Sequence, residues 1–311
     1  MSIFERLNSL KNKRNEAPAK NDTVSPPSAQ IPGGREITSP LGTCLLFESC
    51  FEGSCYFPWK TEQHITQNLK LIRGIGPVIE ERLKREGLNS LEKLLEHPRW
   101  GSQALLVKKL IAEREIMKIR SMGASDHELL CFFKPQDIVF LDIESTGLWP
   151  GQPLFLVGLL FINGGNMVVQ QFFARHYREE KPLLEAVHKV LKPFKVIVTF
   201  NGKRFDIPYI EGRSVEHRLF YRYHHFQVDL LYHARRHFST ELPNCRLVTL
   251  EENLLEFHRE GDIPGYLIPE TYHRFVRTRD PELILPVIEH NRLDLVAMAR
   301  LFHLVEDTIS A

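Results

Sequence analysis

The stretch that most constrains the fold is the run IVFLDIEST at residues 138 to 146. Its apolar members are β-formers with hardly a polar break, the pattern of a strand that is covered on both faces. Side chains alternate along a strand, so Asp142 and Glu144 point the same way and their carboxylates converge on one small volume. Two like charges held so close are unfavourable unless a cation lies between them, and a divalent metal ion is the usual one. The alternative is that the strand ends near Leu141 and that both acids are solvated at its tip.

The pattern after this strand predicts the fold class. From about residue 136, strand and helix patterns alternate, and glycine and proline residues separate them. We expect three strands, an amphipathic helix, another buried strand and a mainly helical remainder over 138–145, 154–162, 166–174, 181–194, 195–202 and 214–311. This order predicts an α/β domain at about residues 135–311, with a mixed sheet flanked by helices. A hydrophobic content of 43% in 311 residues is enough for such a core.

The residues before this domain divide into three expected segments. Residues 12 to 40 are rich in Pro, Ser, Asn and Lys and nearly lack large apolar groups, so we expect residues 1–40 to be mostly disordered. A short β-like segment is expected over 41–62. Helical spacing over 63–125 then predicts a small, mainly helical region, which is interrupted by the sequence GIGP.

The GIGP turn is the second feature that suggests a function. Two glycines around one apolar residue make a tight hairpin, and Pro77 suits the first turn of the next helix. Backbone N–H groups at such a helix start can bind an anion, and glycine lets a phosphate approach closely. The pattern resembles the helix-hairpin-helix motif, which holds the DNA backbone without reading its sequence; an ordinary helix–turn–helix packing unit is the alternative. The residues expected to contact the DNA backbone are Gly74, Ile75, Gly76, Lys70 and Arg73.

Further acids that could complete a metal site lie later in the chain. Asp206 follows the strand KVIVTF after a turn at Asn201 and Gly202. His290 and Asp294 are four residues apart, so they share one face of the last helix. A core histidine hydrogen-bonded to Asp294 is the alternative for His290. Another acid, Asp229, is better interpreted as a helix cap or a structural acid than as a ligand.

Three motifs carry a family resemblance. DIE, NGKRFD and HNRLD, in this order, resemble the three exonuclease motifs of the DEDD, or DnaQ-like, nucleases of the RNase H-like superfamily. The region from about residue 136 to 308 looks most like the YprB-like branch, a set of bacterial predicted exonucleases. The resemblance implies a general base at His290 and metal ligands at Asp142, Glu144, Asp206 and Asp294. One departure is that the best-known branches have His five residues, or Tyr four residues, before the last acid, whereas this chain has His at the spacing of Tyr.

The resemblance implies 3′ to 5′ exonuclease action with two divalent metal ions, Mg²⁺ or Mn²⁺. Such ions lower the pKa of a bound water and stabilise the leaving oxygen, and carboxylates are their preferred ligands. An imidazole can accept the proton of the attacking water. Thr146, Asn201 and Phe205 are candidates for contacts with the terminal nucleotide, with strand termination and core packing as alternatives.

The expected partner is nucleic acid. We expect a DNA exonuclease acting in repair; the alternatives are an RNA exonuclease on the same scaffold and a non-catalytic DNA-binding adaptor of a helicase. The GIGP turn favours DNA, although such turns ignore the sugar. Because the formal net charge is +1, any basic surface must be local. The sequence lacks a long apolar run and a charged-then-apolar leader, so we expect a cytoplasmic protein that does not bind membranes.

The five cysteines fit reduced thiols better than a disulfide framework. Cys44, Cys50 and Cys55, with His64 beyond them, are spaced more widely than the ligand pairs of a zinc knuckle. We interpret them as small side chains in a short β-segment, with a zinc site as the alternative.

Overall fold

A computed structural model describes residues 31–51 and 61–308 of the chain, with side chains as far as residue 304. The residues from Ile31 onward form one compact unit. The strands of this part are β1 (Gly34–Ser39), β2 (Gly42–Phe51), β3 (Ile138–Ser145), β4 (Leu154–Asn163), β5 (Asn166–Phe173), β6 (Val196–Thr199) and β7 (Phe226–Asp229). They make a single mixed sheet in the order β1-β2-β5-β4-β3-β6-β7.

Helices cover the sheet and build the segment between β2 and β3. They are α1 (Glu62–Thr66), α2 (Pro77–Arg85), α3 (Gly101–Ala112), α4 (Ile116–Ser121), α5 (Asp126–Leu129), α6 (Glu180–Leu191), α7 (Asp206–Glu216), α8 (Leu230–Phe238), α9 (Leu247–Leu254), α10 (Ile268–Thr278) and α11 (Leu285–Thr308). The mixed sheet flanked by helices confirms the predicted fold class. Among the described residues, no helix combines the length and the apolar character that crossing a membrane requires.

Strand β3 lies at the change from antiparallel to parallel pairing. It is antiparallel to β4, with Val139 opposite Phe161, and parallel to β6, with Ile138 opposite Val196. β7 continues the parallel part, with Thr199 of β6 opposite Asp229. Strands β3, β6 and β7 therefore end at the same edge of the sheet, which is where α/β proteins commonly bind ligands.

The last helix, α11, packs across the centre of the sheet against β3 and β4. Phe302 of α11 meets the ring of Phe140 of β3 edge-on, with ring centroids 5.5 Å apart. Both side chains are almost fully buried, as are Leu295 and Met298 on the same helix. This apolar contact fixes the face of α11 that the end of β3 meets.

The two N-terminal strands correct the expected domain plan. Residues 34 to 39 form β1 rather than disordered chain, and β2 places the β-like segment inside the main sheet, next to β5. The physical reason is pairing: β1 has mostly polar side chains, but every residue from Gly34 to Ser39 has a partner in β2. Backbone hydrogen bonds to β2 stabilise this edge strand, although its mostly polar composition does not indicate a strand. Residues 1 to 30 lie outside the described part of the chain.

A second correction concerns residues 228 to 238, which were expected to be helical. The chain continues as β7 to Asp229, and helix α8 begins only at Leu230. Val228 pairs in parallel with Val198 of β6, and a strand of four residues is too short to show a period of its own. The interpretation of Asp229 as a helix cap is confirmed, since its carboxylate accepts a hydrogen bond of 3.1 Å from the backbone N–H of Leu231.

The helical segment before β3 shares its core with the sheet. Buried side chains of this segment, such as Ile65 and Leu129, join one hydrophobic cluster with Phe140 of β3 and Phe302 of α11. Over residues 61 to 73, which the structure describes, the chain forms the short α1 and a 3₁₀ turn, Leu69–Leu71, ahead of the GIGP turn. Asn68 ends the helical run, because its side chain accepts a hydrogen bond from the backbone of that turn.

The cysteine cluster does not form a joint zinc site through Cys44 and Cys50. Both lie on β2, six residues apart, so the rise of a strand separates them by about 20 Å. Cys44 is buried, and burial raises the pKa of its thiol to about 12. Cys55 lies outside the described residues.

Candidate metal-binding active site

Three acidic or imidazole side chains meet at the end of β3. A carboxylate oxygen of Glu144, a ring nitrogen of His290 and a carboxylate oxygen of Asp294 all lie within 4.8 Å of one another. Glu144 comes from β3, and the other two come from neighbouring turns of α11. The fold thus brings the end of β3 and the last helix together at this point.

Asp142 lies two residues before Glu144 and belongs to the same group. Burial raises the pKa of Asp142 well above its usual value, and the negative charges of Asp294, Glu144 and Asp206 raise it further. Asn291 opposes this effect, since its amide donates a hydrogen bond of 2.7 Å to Oδ2 of Asp142. The four acids of the sequence motifs thus affect one another electrostatically across three elements of the fold.

Asp206 enters the site from the first residue of α7. Its side chain is buried, and burial together with the negative charges of Asp229 and Asp294 raises its pKa to about 7. Hydrogen bonds from the backbone N–H groups of Asp206 and Ile143 lower the pKa and offset part of this rise. The turn before α7 passes very close to it: a Cβ at Gly202 would lie 2.6 Å from Oδ2 of Asp206. The turn therefore needs glycine at this position.

His290 is held by a residue that the sequence analysis did not assign. Its Nδ1 lies 2.8 Å from Oδ1 of Asp262, and its Nε2 lies 3.5 Å from Oδ2 of Asp294. A hydrogen bond from Nδ1 to Asp262 directs the other ring nitrogen towards the acid group. The unusual spacing of His290 thus still brings the imidazole into the site.

A buried arginine closes this side of the site. The guanidinium group of Arg259 forms ion pairs with Glu251 of α9, with Asp262, and with Asp294 at 2.5 Å. Only 5% of the Arg259 side chain is exposed. Asp262 lies in the segment GDIPG at residues 261–265, 28 residues before His290. No helical or strand spacing relates residues so far apart, so the sequence alone does not predict this contact.

The three expected substrate-contact residues have different surroundings. Thr146 is buried, and its hydroxyl donates to the carbonyl oxygen of Pro153 at 3.1 Å, which favours its alternative role at the end of the strand. Asn201 is exposed and adopts a positive φ of 67°, and its N–H donates to Asp229 at 2.8 Å. Phe205 is half-buried beside Asp206, with its ring centroid 5.4 Å from that of Tyr209.

The residues of the GIGP turn lie in the helical segment between β2 and β3. Gly74 has a φ of 92°, Gly76 is the N-cap of α2, and Pro77 occupies the first turn of that helix. Ile75 is buried and anchors the turn. Two cations accompany the turn: Lys70 and Arg73 are exposed, and Lys70 lies 3.6 Å from Glu80.

The donor set fits hard divalent cations. Carboxylates are the ligands that Mg²⁺ and Mn²⁺ prefer, and buried acids with raised pKa values are stabilised when a cation takes the place of their protons. Burial and the charges of Asp294, Asp206 and Asp262 raise the pKa of Glu144 well above its usual value. The residues that would hold such ions are Asp142, Glu144, Asp206 and Asp294, with His290 at their edge.

Comparison with known proteins agrees with the fold. Residues 139–306 match the model of a family described as part of the RNase H superfamily. The chain is 30% identical over 195 residues to the uncharacterized protein YprB of Bacillus subtilis (strain 168), a match that covers 60% of this chain and 46% of that protein. The chain thus spans less than half the length of this relative.

One solved structure with a similar region is the family B DNA polymerase from the hyperthermophilic archaeon Pyrobaculum calidifontis. It is 20% identical and covers 55% of this chain and 24% of its own, with a TM-score of 0.43.

Proposed function

Because the chain belongs to the RNase H superfamily, we propose that it is a metal-dependent nuclease that removes nucleotides from the 3′ end of DNA. The superfamily supports phosphodiester hydrolysis in general, and the exonuclease polarity and the preference for DNA are our proposal. The observation that carries it is the meeting of Glu144, His290 and Asp294 beside two further buried acids with raised pKa values. A fold alone would not require five such groups at one edge of a sheet.

Asp142, Glu144, Asp206 and Asp294 would hold the metal ions in this proposal. Two bound Mg²⁺ or Mn²⁺ ions would supply Lewis-acid chemistry, which activates water and stabilises the leaving oxygen. The protein contributes the fixed positions of the carboxylates. Asn291 holds Asp142 by a 2.7 Å hydrogen bond, and the turn at Gly202 leaves room for the carboxylate of Asp206.

His290 would accept the proton of the attacking water at Nε2. Asp262 fixes the ring through Nδ1 and stabilises the charged imidazolium that forms. Arg259 keeps Asp262 and Asp294 in place on either side of the imidazole. The positive guanidinium group also lowers the cost of gathering several carboxylates in one buried site.

DNA would lie with its 3′ end against Asn201 and Phe205, next to Asp206. The GIGP turn would hold a phosphate of the same molecule through the backbone at the start of α2, with Lys70 and Arg73 beside it. Backbone contacts of this kind suit a repair enzyme that must act on any sequence. A helicase that separates the strands would be a matching partner.

The proposal is tested with purified protein and 5′-labelled single-stranded DNA, duplex DNA and RNA of one sequence. Each substrate is incubated with Mn²⁺, Mg²⁺ or EDTA, beside Asp142→Ala and the control Glu252→Ala, an exposed acid of α9. We expect a metal-dependent ladder that shortens from the 3′ end, is absent with Asp142→Ala and is unchanged with Glu252→Ala. Faster loss of RNA would reverse the choice of substrate. Binding of DNA without cleavage under any metal would favour an adaptor instead.

A further inference from the structure

A cleft of about 960 Å³ lies beside the proposed active site, between the helical segment and helix α8. Its lining combines residues of the segment before β3 with residues of the β6–α7 turn and of α8. Six cations line it: Lys70, Arg120, Lys203, Arg204, Arg235 and Arg236. We name it the α8 cleft.

The lining of the α8 cleft is basic, although the whole chain carries a formal charge of only +1. Three acids also line it, so six cations less three acids leave an excess of three positive charges. All three acids have partners within the protein. Asp126 pairs with Arg120 at 2.6 Å, Glu128 accepts a hydrogen bond of 2.6 Å from Asn68, and Asp229 caps α8. After the acids are subtracted, the three remaining positive charges attract an anionic ligand.

The α8 cleft lies between the proposed metal site and the GIGP turn. Asn201 and Asp229, at the ends of the parallel strands β6 and β7, line one side of it. Asp206 follows Asn201 by five residues and belongs to the proposed metal site. Lys70, four residues before Gly74, lines the other side. A chain of phosphates running through the cleft would reach from the terminal nucleotide towards the GIGP turn.

The cleft also offers an aromatic surface. Tyr232 lines it, and 64% of this large side chain is exposed. Its ring lies at 86° to the ring of His233, with centroids 5.6 Å apart, so His233 does not stack on it. Exposed aromatic rings inside basic grooves are the usual platforms on which the bases of single strands stack.

We propose that the α8 cleft binds the single-stranded stretch of nucleic acid that precedes the nucleotide being removed. Lys203, Arg204, Arg235 and Arg236 contact its phosphates, and Tyr232 stacks on one of its bases. This proposal rests on the proposed function, because it assumes that the 3′ end lies at Asp206. Duplex DNA, which keeps its bases stacked inside, would not use Tyr232.

The test measures binding and cleavage separately. Binding of a fluorescent single strand of about 20 nucleotides is followed by anisotropy at several salt concentrations, in an Asp142→Ala background that leaves the strand intact. The cleft variants are Arg235→Gln with Arg236→Gln, and Tyr232→Ala. The matched control is Arg274→Gln with Arg277→Gln, two exposed cations on α10. Thermal unfolding checks that each variant is folded.

We expect the double arginine variant to weaken binding at least about tenfold and to reduce the salt slope by about two, one for each lost phosphate contact. Tyr232→Ala should weaken single-strand binding at least about fivefold at an unchanged salt slope, and leave blunt duplex binding unchanged. With Asp142 restored, both variants should raise KM for the long strand. A matched RNA strand shows whether the cleft selects the sugar.

Single-strand binding and a salt slope equal to those of the control variant would overturn the cleft proposal, even if the wild type cuts DNA. Equal losses on duplex and single strand with Tyr232→Ala would overturn it as well. If the wild type cuts no nucleic acid while the cleft variants still lose binding, the proposed function fails and the assignment of the cleft as a single-strand surface stands.

Discussion

The side-chain amide of Asn291 donates a hydrogen bond of 2.7 Å to Oδ2 of Asp142 and so joins the last helix to strand β3. Oδ1 of the same amide accepts a hydrogen bond of 2.8 Å from Gln171 on β5. Asn291 is fully buried, and it approaches β4 so closely that a side chain at Gly158 would collide with it. One amide therefore positions a proposed metal ligand relative to three strands and a helix.

We predict that Asn291→Leu lowers both stability and activity. The substitution removes the bond to Asp142 and one partner of a buried glutamine, so we expect the free energy of unfolding to fall by about 1–3 kcal/mol. Metal-dependent cleavage should fall about 10- to 100-fold, because the ligand is no longer oriented. Urea unfolding and cleavage rates measure the two effects, with the exposed Asn253→Leu as a control. Cleavage at the wild-type rate in a destabilised variant would show that the amide serves the fold alone.

A second prediction concerns the pair formed by His290 and Asp262. In Asp262→Asn the carboxylate that orients the imidazole and stabilises its protonated form is lost, so we expect kcat to fall about 10- to 100-fold. KM for DNA should change little, because neither group is proposed to bind the substrate. Steady-state kinetics separate the two, and Asp280→Asn, an exposed acid of another loop, is the control. A rise in KM at unchanged kcat would contradict the orienting role.

The raised pKa values predict how pH and metal ions act on stability. Because the pKa of Asp206 is raised to about 7 in the folded protein, the folded state binds more protons than the unfolded state between about pH 4 and pH 7. In EDTA, stability should therefore decrease as pH rises through this window. Divalent ions replace the protons, so Mn²⁺ should raise Tm more at about pH 7.5 than at about pH 5.5.

Thermal unfolding of the wild type and of Asp206→Asn checks this prediction. The variant lacks the titrating carboxyl, so its Tm in EDTA should depend less on pH over the same window. An equal effect of Mn²⁺ at both pH values in the wild type would speak against metal binding by these acids.

Gly76→Ala tests the GIGP turn without disturbing its packing. No atom lies within 4 Å of the position that a Cβ would take at Gly76, and φ there is −97°, which alanine adopts readily. A methyl group should therefore hinder only a phosphate that approaches the turn. We expect DNA binding to weaken several-fold while cleavage of very short strands is kept, as measured by anisotropy and cleavage assays. Ser102→Ala, exposed on α3, is the control, and undiminished binding would favour the packing alternative.

Local rules made much of the fold and of the site predictable. Alternation along β3 put Asp142 and Glu144 on one side, and the four-residue spacing put His290 and Asp294 on one helix face. These relations hold within single elements, so the sequence alone expresses them.

The features that were missed depend on contacts between elements. Strands β1 and β7 are short, and pairing with β2 and β6 rather than a hydrophobic pattern defines them. Asp262 and Arg259 lie in a loop, and only the folded chain brings that loop to α11. Asn291 follows no sequence pattern that distinguishes it from other polar residues of the last helix, and its importance comes from its buried partners Gln171 and Asp142.

The helical segment that carries the GIGP turn lies in the sequence between β2 and β3, both strands of the same sheet, and shares their hydrophobic core. It is thus held at two points and by its packing, unlike a domain on a tether. In the proposed enzyme, the spacing between the phosphate held at Gly76 and the bond cut at Asp142 would be constant. A strand long enough to span this fixed distance would contact both points at once. A shorter strand would be cut without the phosphate contact at the GIGP turn.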